Sequence, residues 1–132
     1  MANQGIITKV SEQSFADTYE KLKGIINDNP ALKILLELDH QANAASVDLA
    51  LEPTRIILFG NPKLGTPLMA SGNLTGLDLP QKILVTERQG VVSLSYNDPA
   101  YLQDRHSIEG QEEILQKVSG ALDKITTAAS KA

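Results

Sequence analysis

An apolar segment that runs directly into a turn constrains this chain of 132 residues more than any other part of it. Ile56, Ile57, Leu58 and Phe59 follow one another without a polar residue, and Gly60 ends the run. Such a run is typical of a strand that is buried on both faces, because a strand with one face in water alternates apolar and polar residues. We therefore predict a central strand that is covered on both faces.

The turn after this strand has features of an anion site. Residues 61–65 have turn chemistry, and Thr66 before Pro67 predicts a helix N-cap with proline in the first turn. Backbone N–H groups of residues 65–68, together with Lys63, can hold a carboxylate or phosphate there. The alternative is that glycine and proline only turn the chain and that Lys63 is solvated. A Walker phosphate loop is excluded, because its lysine directly precedes Ser or Thr.

The remaining pattern predicts an α+β fold. Alternating residues predict further strands at 6–10, 32–38, 83–88 and 91–96, the last two forming a hairpin around Gln89 and Gly90. Apolar stripes at helical spacing predict two main helices, one after Ser14 and one containing 114–125. Residues 41–51 are predicted as a short helix or an irregular link and 73–80 as a loop, with a short helix at 67–70 and one helical turn at 99–105. This order favours a mixed or antiparallel sheet over a repeated βαβ sheet.

Length and composition indicate a single domain. The chain has enough apolar residues, 42% of the total, for one core and is too short for a second. We predict one domain over 1–132, with a core of about 5–126 and a tail at 127–132 that frays.

Composition also excludes several classes of function. The net charge is −4, from 12 basic and 16 acidic residues without clusters, so we expect neither a nucleic-acid nor a membrane partner. Aromatic residues make up 4%, too few for a base-stacking surface. There is no cysteine, which excludes disulfides and thiolate chemistry. Because the sequence has neither a secretory signal nor a long apolar run, we predict a cytoplasmic protein.

The two histidines are candidates for acid–base chemistry. His40 follows Asp39, and a neighbouring carboxylate can orient an imidazole and raise its basicity. Adjacent residues of a strand point to opposite faces, however, so these two side chains need not touch. His106 lies far along the chain, without the spacing of a metal-binding motif. We therefore predict no metal and no cofactor, and we expect Asp98 to cap the turn that begins at Pro99.

Several short motifs together resemble one family. They are Phe-Gly-Asn-Pro-Lys at 59–63, Gly-Thr-Pro-Leu-Met at 65–69, Asp39-His40, Ser-Tyr-Asn-Asp-Pro at 95–99 and Arg105-His106. This pattern resembles the DUF302 family of small bacterial domains of unknown function, over roughly Ile6 to His106. The resemblance implies a compact α+β fold with a TBP-like twisted sheet of about five strands, and a homodimer. It implies no reaction.

The leading hypothesis is a non-enzymatic, cytoplasmic homodimer that binds a small polar or anionic ligand. It depends on polar residues that follow strand ends and that one cleft can bring together: Asp39, His40, Asn61, Lys63, Thr66, Asn97, Asp98 and His106. One alternative is a small enzyme with His40 as acid or base and Lys63 stabilising negative charge. Another is a protein-interaction domain in which these residues serve only as turns.

Overall fold

The computed structural model describes residues 5–132, and its elements confirm the α+β class. In chain order they are β1 (Ile6–Val10), α1 (Phe15–Asp28), β2 (Lys33–Asp39), α2 (His40–Ala45), β3 (Thr54–Gly60), α3 (Pro62–Ser71), a 3₁₀ helix (Asn73–Leu77), β4 (Gln81–Arg88), β5 (Val91–Asn97), α4 (Pro99–His106) and α5 (Glu112–Ser130).

The five strands of residues 5–132 form one sheet in the order β1-β5-β4-β3-β2, and every neighbouring pair is antiparallel. The predicted β4–β5 hairpin is confirmed. Its turn residues Gln89 and Gly90 have positive φ angles of 51° and 83°, the left-handed conformation that a two-residue hairpin turn needs. The central strand is β4, and β3 lies between it and the edge strand β2.

The main core lies between one face of the sheet and the helices α1 and α5. Leu22 of α1, Ile57 of β3, Ile83 of β4 and Leu122 of α5 are at most 1% exposed. The apolar stripes of both helices point at the same sheet face, which places the two main helices side by side. Ser14 caps α1 by accepting a hydrogen bond from the Asp17 N–H, as the sequence predicts.

The prediction that β3 is covered on both faces is wrong. Ile57 and Phe59 are buried under the helices, whereas Ile56 and Leu58 project from the opposite face and are partly exposed. Both main helices pack on the same face, and within residues 5–132 neither of them covers the outer face of β3. There Ile56 lies beside Leu84 of β4. We call this surface the open sheet face; Ile56, Leu58 and Leu84 lie at its centre.

The prediction that residues 127–132 fray is also wrong. Helix α5 continues to Ser130, and Ala129 is fully buried. The Glu12 N–H donates to the Ser130 carbonyl at 2.7 Å, and the Gln13 side chain donates to the Ala129 carbonyl at 3.0 Å. These long-range bonds hold the last turn against the segment after β1.

Candidate functional site

A cleft of about 360 Å³ opens beside the end of β3, between α3, α5 and the first residues of β2. Its walls are apolar and include Leu32, Phe59, Leu64, Leu68, Leu79 and Leu122. The polar side chains in its lining are Lys33, Asn61, Thr66 and Gln81. Small-molecule sites in proteins typically have this size and this combination of apolar walls with few polar groups.

The sequence builds the cleft through an early start of α3. Asn61 is the N-cap of this helix and Pro62 is its first residue, a favoured pair at a helix start. Because the helix begins there, Leu64 and Leu68 lie four residues apart on one side and both line the cleft. Leu68 is 3% exposed, so this side of α3 is packed into the protein interior.

The predicted anion site at residues 65–68 is wrong, because those residues lie inside α3 and not at its start. Thr66 is therefore not the N-cap. Pro62 has no N–H, and the Lys63 N–H donates to the Asn61 side chain at 3.1 Å. The Leu64 and Gly65 N–H groups donate to the Asn61 carbonyl at 2.9 and 3.0 Å. The first turn of α3 thus has no N–H left for a ligand.

The eight polar residues do not converge in one cleft. Asp39 and His40 lie at the opposite end of β3 from Asn61, because Asp39 pairs with Arg55 at the start of that strand. A strand of this length spans about 20 Å. His40 and Lys63 therefore cannot share one active site, as the enzyme hypothesis requires.

The other members of the predicted set lie at or near the cleft end of the sheet. Asn61 and Thr66 line the cleft itself. Asn97 lies at the end of β5, on the open sheet face, and Asp98 caps α4 by accepting from the Ala100 N–H, as predicted. The helix that Asp98 caps has eight residues, longer than the predicted single turn.

At the far end of β3, Asp39 belongs to a network of charged and aromatic side chains. Arg55 donates to Asp39 at 2.9 Å, and its guanidinium carbon lies 4.8 Å from the centre of the Tyr19 ring. The Tyr19 hydroxyl donates to Glu37 at 2.6 Å, and Lys23 lies 3.2 Å from the other oxygen of Glu37. We call Arg55, Asp39, Tyr19, Glu37 and Lys23 the Arg55 network.

The Arg55 network shifts several pKa values. Burial raises the pKa of Tyr19, and the hydrogen bond to Glu37 raises it further. That hydrogen bond is the main reason why the pKa of Glu37 is lowered. The pKa of Asp39 is lowered mainly by the Ala42 N–H, which donates to its carboxylate at the start of α2. Both carboxylates are thus stabilised in the ionised form by groups of the protein itself.

His106 is held in a second polar cluster. Its Nε2 atom lies 2.5 Å from a carboxylate oxygen of Asp78, which also accepts from Arg105 at 3.1 Å. The His106 side chain is only 4% exposed. Lys82 donates to the carbonyls of Asp78 and Pro80, and burial lowers its pKa. Because these contacts join α4 to the segment before β4, they explain the position of His106 without a ligand.

Residues 5–132 contain no group of three or more His, Cys, Asp or Glu side chains that could hold a metal ion. The two histidines lie in different parts of the fold, since His40 begins α2 and His106 ends α4.

The sequence reasoning missed the apolar wall of the cleft. The missed signal was Asn61-Pro62, which is a helix start as well as a turn. Reading it as a start places Leu64 and Leu68 on one helical side. No spacing in the sequence brings the first residues of β2 to the same cleft as this helix, because that depends on how β2 pairs with β3.

Fold and site together define a single α+β domain with an antiparallel sheet, two long helices on one face and an apolar cleft at one end. The chain belongs to the family described as Domain of unknown function DUF302, whose model matches residues 7–125. A similar solved structure is the crystal structure of an uncharacterized conserved DUF302 protein from Bacillus stearothermophilus, with a TM-score of 0.84. At 17% identity, over 96% of this chain and 99% of that one, it supports the fold alone.

Curated relatives of this chain are named as fluoride channels. The Fluoride-specific ion channel FluC 1 of Brucella suis is 39% identical over 116 residues, which are 87% of this chain and 45% of the relative. FluC 2 of Brucella melitensis is also 39% identical over 116 residues, 43% of its length. The chain thus spans less than half the length of the curated relatives it matches. None of the helices within residues 5–132 is long and apolar enough to span a bilayer.

Proposed function

We propose that this protein binds a small, mainly apolar molecule in the cleft between α3 and α5. The observation that carries the proposal is the cleft itself, whose volume of about 360 Å³ is within the usual range for small-molecule sites. The sequence-based hypothesis of a polar ligand loses its main support, since the polar residues do not meet. We therefore propose the apolar cleft, and not the polar residues at the strand ends, as the ligand site.

The depth of the walls supports a site that is formed before the ligand arrives. Phe59, Leu68 and Leu122 are between 1% and 3% exposed and belong to the packed interior. At the mouth, Leu35 and Met69 are 54% and 37% exposed. A ligand that covers these two side chains removes apolar surface from water, which favours binding.

A blocking substitution tests this proposal. Ala121 lines the cleft from α5 and is exposed, so Ala121→Trp fills the mouth without disturbing the core. Gln116→Trp adds the same ring to an exposed position of α5 outside the cleft. Fluorescence titration with the neutral apolar dye Nile red is expected to show binding to the wild type and Gln116→Trp. We expect Ala121→Trp to bind at least about tenfold more weakly.

Two results of this titration would overturn the proposal. One is the absence of Nile red binding to the wild type. The other is equal binding by all three proteins, which would place the dye elsewhere. Circular dichroism of each variant checks that the fold is intact.

We also propose that the protein forms a homodimer through the open sheet face. The face carries the apolar side chains Ile56, Leu58 and Leu84 across neighbouring strands, and the ammonium group of Lys82 on this face is held by backbone carbonyls. Five strands cover roughly 500 Å² in projection. Stable interfaces bury about 600 to 1,000 Å² of accessible surface per partner, and the accessible surface of the side chains on a sheet face is larger than its projected area.

The dimer proposal is tested by sedimentation equilibrium. Leu84→Lys places a charge at the centre of the open sheet face and is expected to yield monomers. Leu74→Lys is the matched control, since Leu74 is 62% exposed on the 3₁₀ helix. A monomeric wild type, or a Leu84→Lys variant that is still dimeric, would contradict the proposed interface.

A second candidate function is that of an accessory domain for a fluoride channel. The observation that favours it is the similarity to Brucella proteins named as fluoride-specific ion channels, of which this chain matches 45% and 43%. A strain without this protein should then be more sensitive to fluoride, and the protein should be recovered with a fluoride channel from its host. Unchanged fluoride sensitivity would count against this function. Fractionation of the same cells tests the predicted cytoplasmic location.

A further inference from the structure

We propose that the ligand of the cleft is an uncharged molecule with a long alkyl chain, and that Leu35 is the residue that distinguishes long chains from short ones. This inference rests on the proposed function of the cleft and specifies its ligand. It depends on a bulge in β2, on the position of Leu35 at the mouth and on the charges of the described lining.

The strand register shows that Leu35 is an extra residue in β2. Ile34 pairs with Phe59, and Leu36 pairs with Leu58. Because Phe59 and Leu58 are adjacent in β3, Leu35 has no pairing partner of its own. It is therefore the extra residue of a β-bulge, a feature that is frequent beside active sites because it redirects a side chain.

The bulge turns the Leu35 side chain towards the cleft. Ile34 packs against the main core, so in a regular strand the next side chain would point to the open sheet face. Leu36 takes that position instead, opposite Leu58, and is 48% exposed. Leu35 lines the cleft and is 54% exposed. The bulge thus adds to the cleft an apolar side chain that a regular strand would place on the other face.

Leu35 lies at the mouth, whereas the inner walls of the cleft are formed by buried side chains. Leu68 and Leu122 are 3% and 1% exposed. A short alkyl chain removes most of its surface from water when it lies between these inner walls, so we expect it to bind there. Only a longer chain extends to the mouth and covers Leu35.

The volume sets the chain length at which the contact with Leu35 begins. A methylene group is comparable in size with a water molecule, whose share of liquid volume is about 30 Å³. A cleft of about 360 Å³ therefore accepts roughly a dozen heavy atoms. On this estimate hexan-1-ol fills roughly half of the cleft, and decan-1-ol reaches the mouth.

The described lining offers no partner to a charged ligand. It contains no Asp or Glu, and its lysine, Lys33, pairs with Gly60. Because the next residue, Ile34, points to the core, the Lys33 side chain points to the open sheet face. A charged group inside the cleft would lose water without gaining an ion pair, which is unfavourable. An uncharged chain has no such penalty.

The test compares two chain lengths in proteins that differ at two adjacent leucines. Hexan-1-ol and decan-1-ol, below their solubility limits, compete with Nile red for the wild type, Leu35→Ala, Leu35→Met and Leu36→Ala. The affinity of each protein for the dye is measured first. Leu36→Ala is the matched control, because Leu36 has similar exposure but lies on the other face of the sheet.

We expect Leu35→Ala to bind decan-1-ol about three- to tenfold more weakly than the wild type, because a partly exposed leucine loses its contact with the ligand. Its affinity for hexan-1-ol should be unchanged. Leu35→Met, which keeps a long apolar side chain, and Leu36→Ala should bind both alcohols as the wild type does.

The same competition with decanoate and decylammonium tests the charge argument. Both ions have the chain length of decan-1-ol, and both should bind the wild type at least about tenfold more weakly than the alcohol. If either ion binds as tightly as decan-1-ol, the ligand is not restricted to uncharged molecules and the inference is wrong.

The remaining outcomes separate this inference from the proposed function. The role of Leu35 is wrong if Leu35→Ala binds decan-1-ol like the wild type, if it loses affinity for both alcohols equally, or if Leu36→Ala has the same effect. If Nile red binds and decan-1-ol does not displace it, the alkyl-chain assignment fails and the cleft is still a ligand site. If Nile red does not bind to the wild type, the inference and the proposed function fail together.

Discussion

The two ends of β3 differ in how their polar groups are used. At the start of the strand, Arg55 pairs with Asp39 and stacks on Tyr19, and the Tyr19 hydroxyl donates to Glu37. At the other end, Phe59 and Gly60 lead into an apolar cleft with few polar groups. The end richer in charge is thus the closed end, and the apolar end has room for a ligand.

This difference teaches where to search for a site in a domain of this kind. Charged side chains at the start of β3 form ion pairs and hydrogen bonds within the protein. A group that is already paired in this way has few free hydrogen-bonding positions for a ligand. In the Arg55 network, Glu37 is bound by both Tyr19 and Lys23. An apolar space with few polar groups in its walls is the better candidate.

The largest effect is expected from Phe59→Ala, which tests whether the cleft end belongs to the core. Phe59 is 2% exposed, so removing its ring should lower the free energy of unfolding by about 3–5 kcal/mol. Leu35→Ala, at the 54% exposed mouth of the same cleft, should change it by less than about 1 kcal/mol. Urea unfolding measures both values. Equal losses of unfolding free energy in the two variants would mean that Phe59 and Leu35 contribute equally to the core, against this prediction.

A smaller effect is expected from Tyr19→Phe, which removes one hydrogen bond from the closed end. The lost bond joins the Tyr19 hydroxyl to an ionised carboxylate at 2.6 Å, so we expect a loss on the order of 1.5 kcal/mol. Binding of Nile red to the cleft should not change, since Tyr19 lies at the other end of the sheet. A change in dye affinity without unfolding would show that the two ends are coupled.

The start of α3 distinguishes the observed cap from the predicted one. Asn61→Ala removes the N-cap and should lower the free energy of unfolding by about 1 kcal/mol. Thr66→Ala, inside the helix and exposed, should change it by less than about 0.5 kcal/mol. Thermal unfolding of the two variants compares them directly. A larger loss for Thr66→Ala would place the helix start at Thr66 after all.

The smallest effect is a difference in acid sensitivity at the closed end. The pKa values of Glu37 and Asp39 are lowered from 4.5 and 3.8, so both groups stabilise the folded state while ionised. This contribution is complete above those ordinary values and is lost as the pH falls through the lowered ones. Tyr19→Phe removes the hydrogen bond that is the main cause of the lowered Glu37 pKa. The free energy of unfolding of this variant should therefore fall less steeply than that of the wild type below about pH 4.5. Urea unfolding at several pH values compares the slopes, and parallel slopes would contradict the assignment.

Much of the fold follows from patterns within single segments. The β4–β5 hairpin, the Ser14 cap and the apolar stripe of α5 are each visible within about twenty residues of sequence. The sequence pattern did not reveal which faces of β3 are covered by helices. Ile56 and Leu58 are as apolar as the buried residues Ile57 and Phe59 beside them. Nor did the pattern predict the last turn of α5, which Glu12 and Gln13 hold from the other end of the chain.

The candidate site was less predictable than the fold. The sequence predicted a site in the segment around residues 59–69, and Asn61 and Thr66 line the cleft of the folded chain. Its chemistry was predicted as anion binding by backbone N–H groups, but Asn61 and Pro62 start α3 five residues earlier than expected. The same strong helix start that removes those N–H groups turns Leu64 and Leu68 towards the cleft.

By itself, the sequence determined the elements and their order, because helical and strand periodicity depends on residues that are near one another in the chain. Only the tertiary structure decided which polar groups meet. Asp78 and His106 are 28 residues apart, and Lys33 and Gly60 are neighbours through strand pairing alone. Side-chain contacts between distant segments depend on packing and register, which no local pattern contains. For this reason the cleft became visible only in the folded chain.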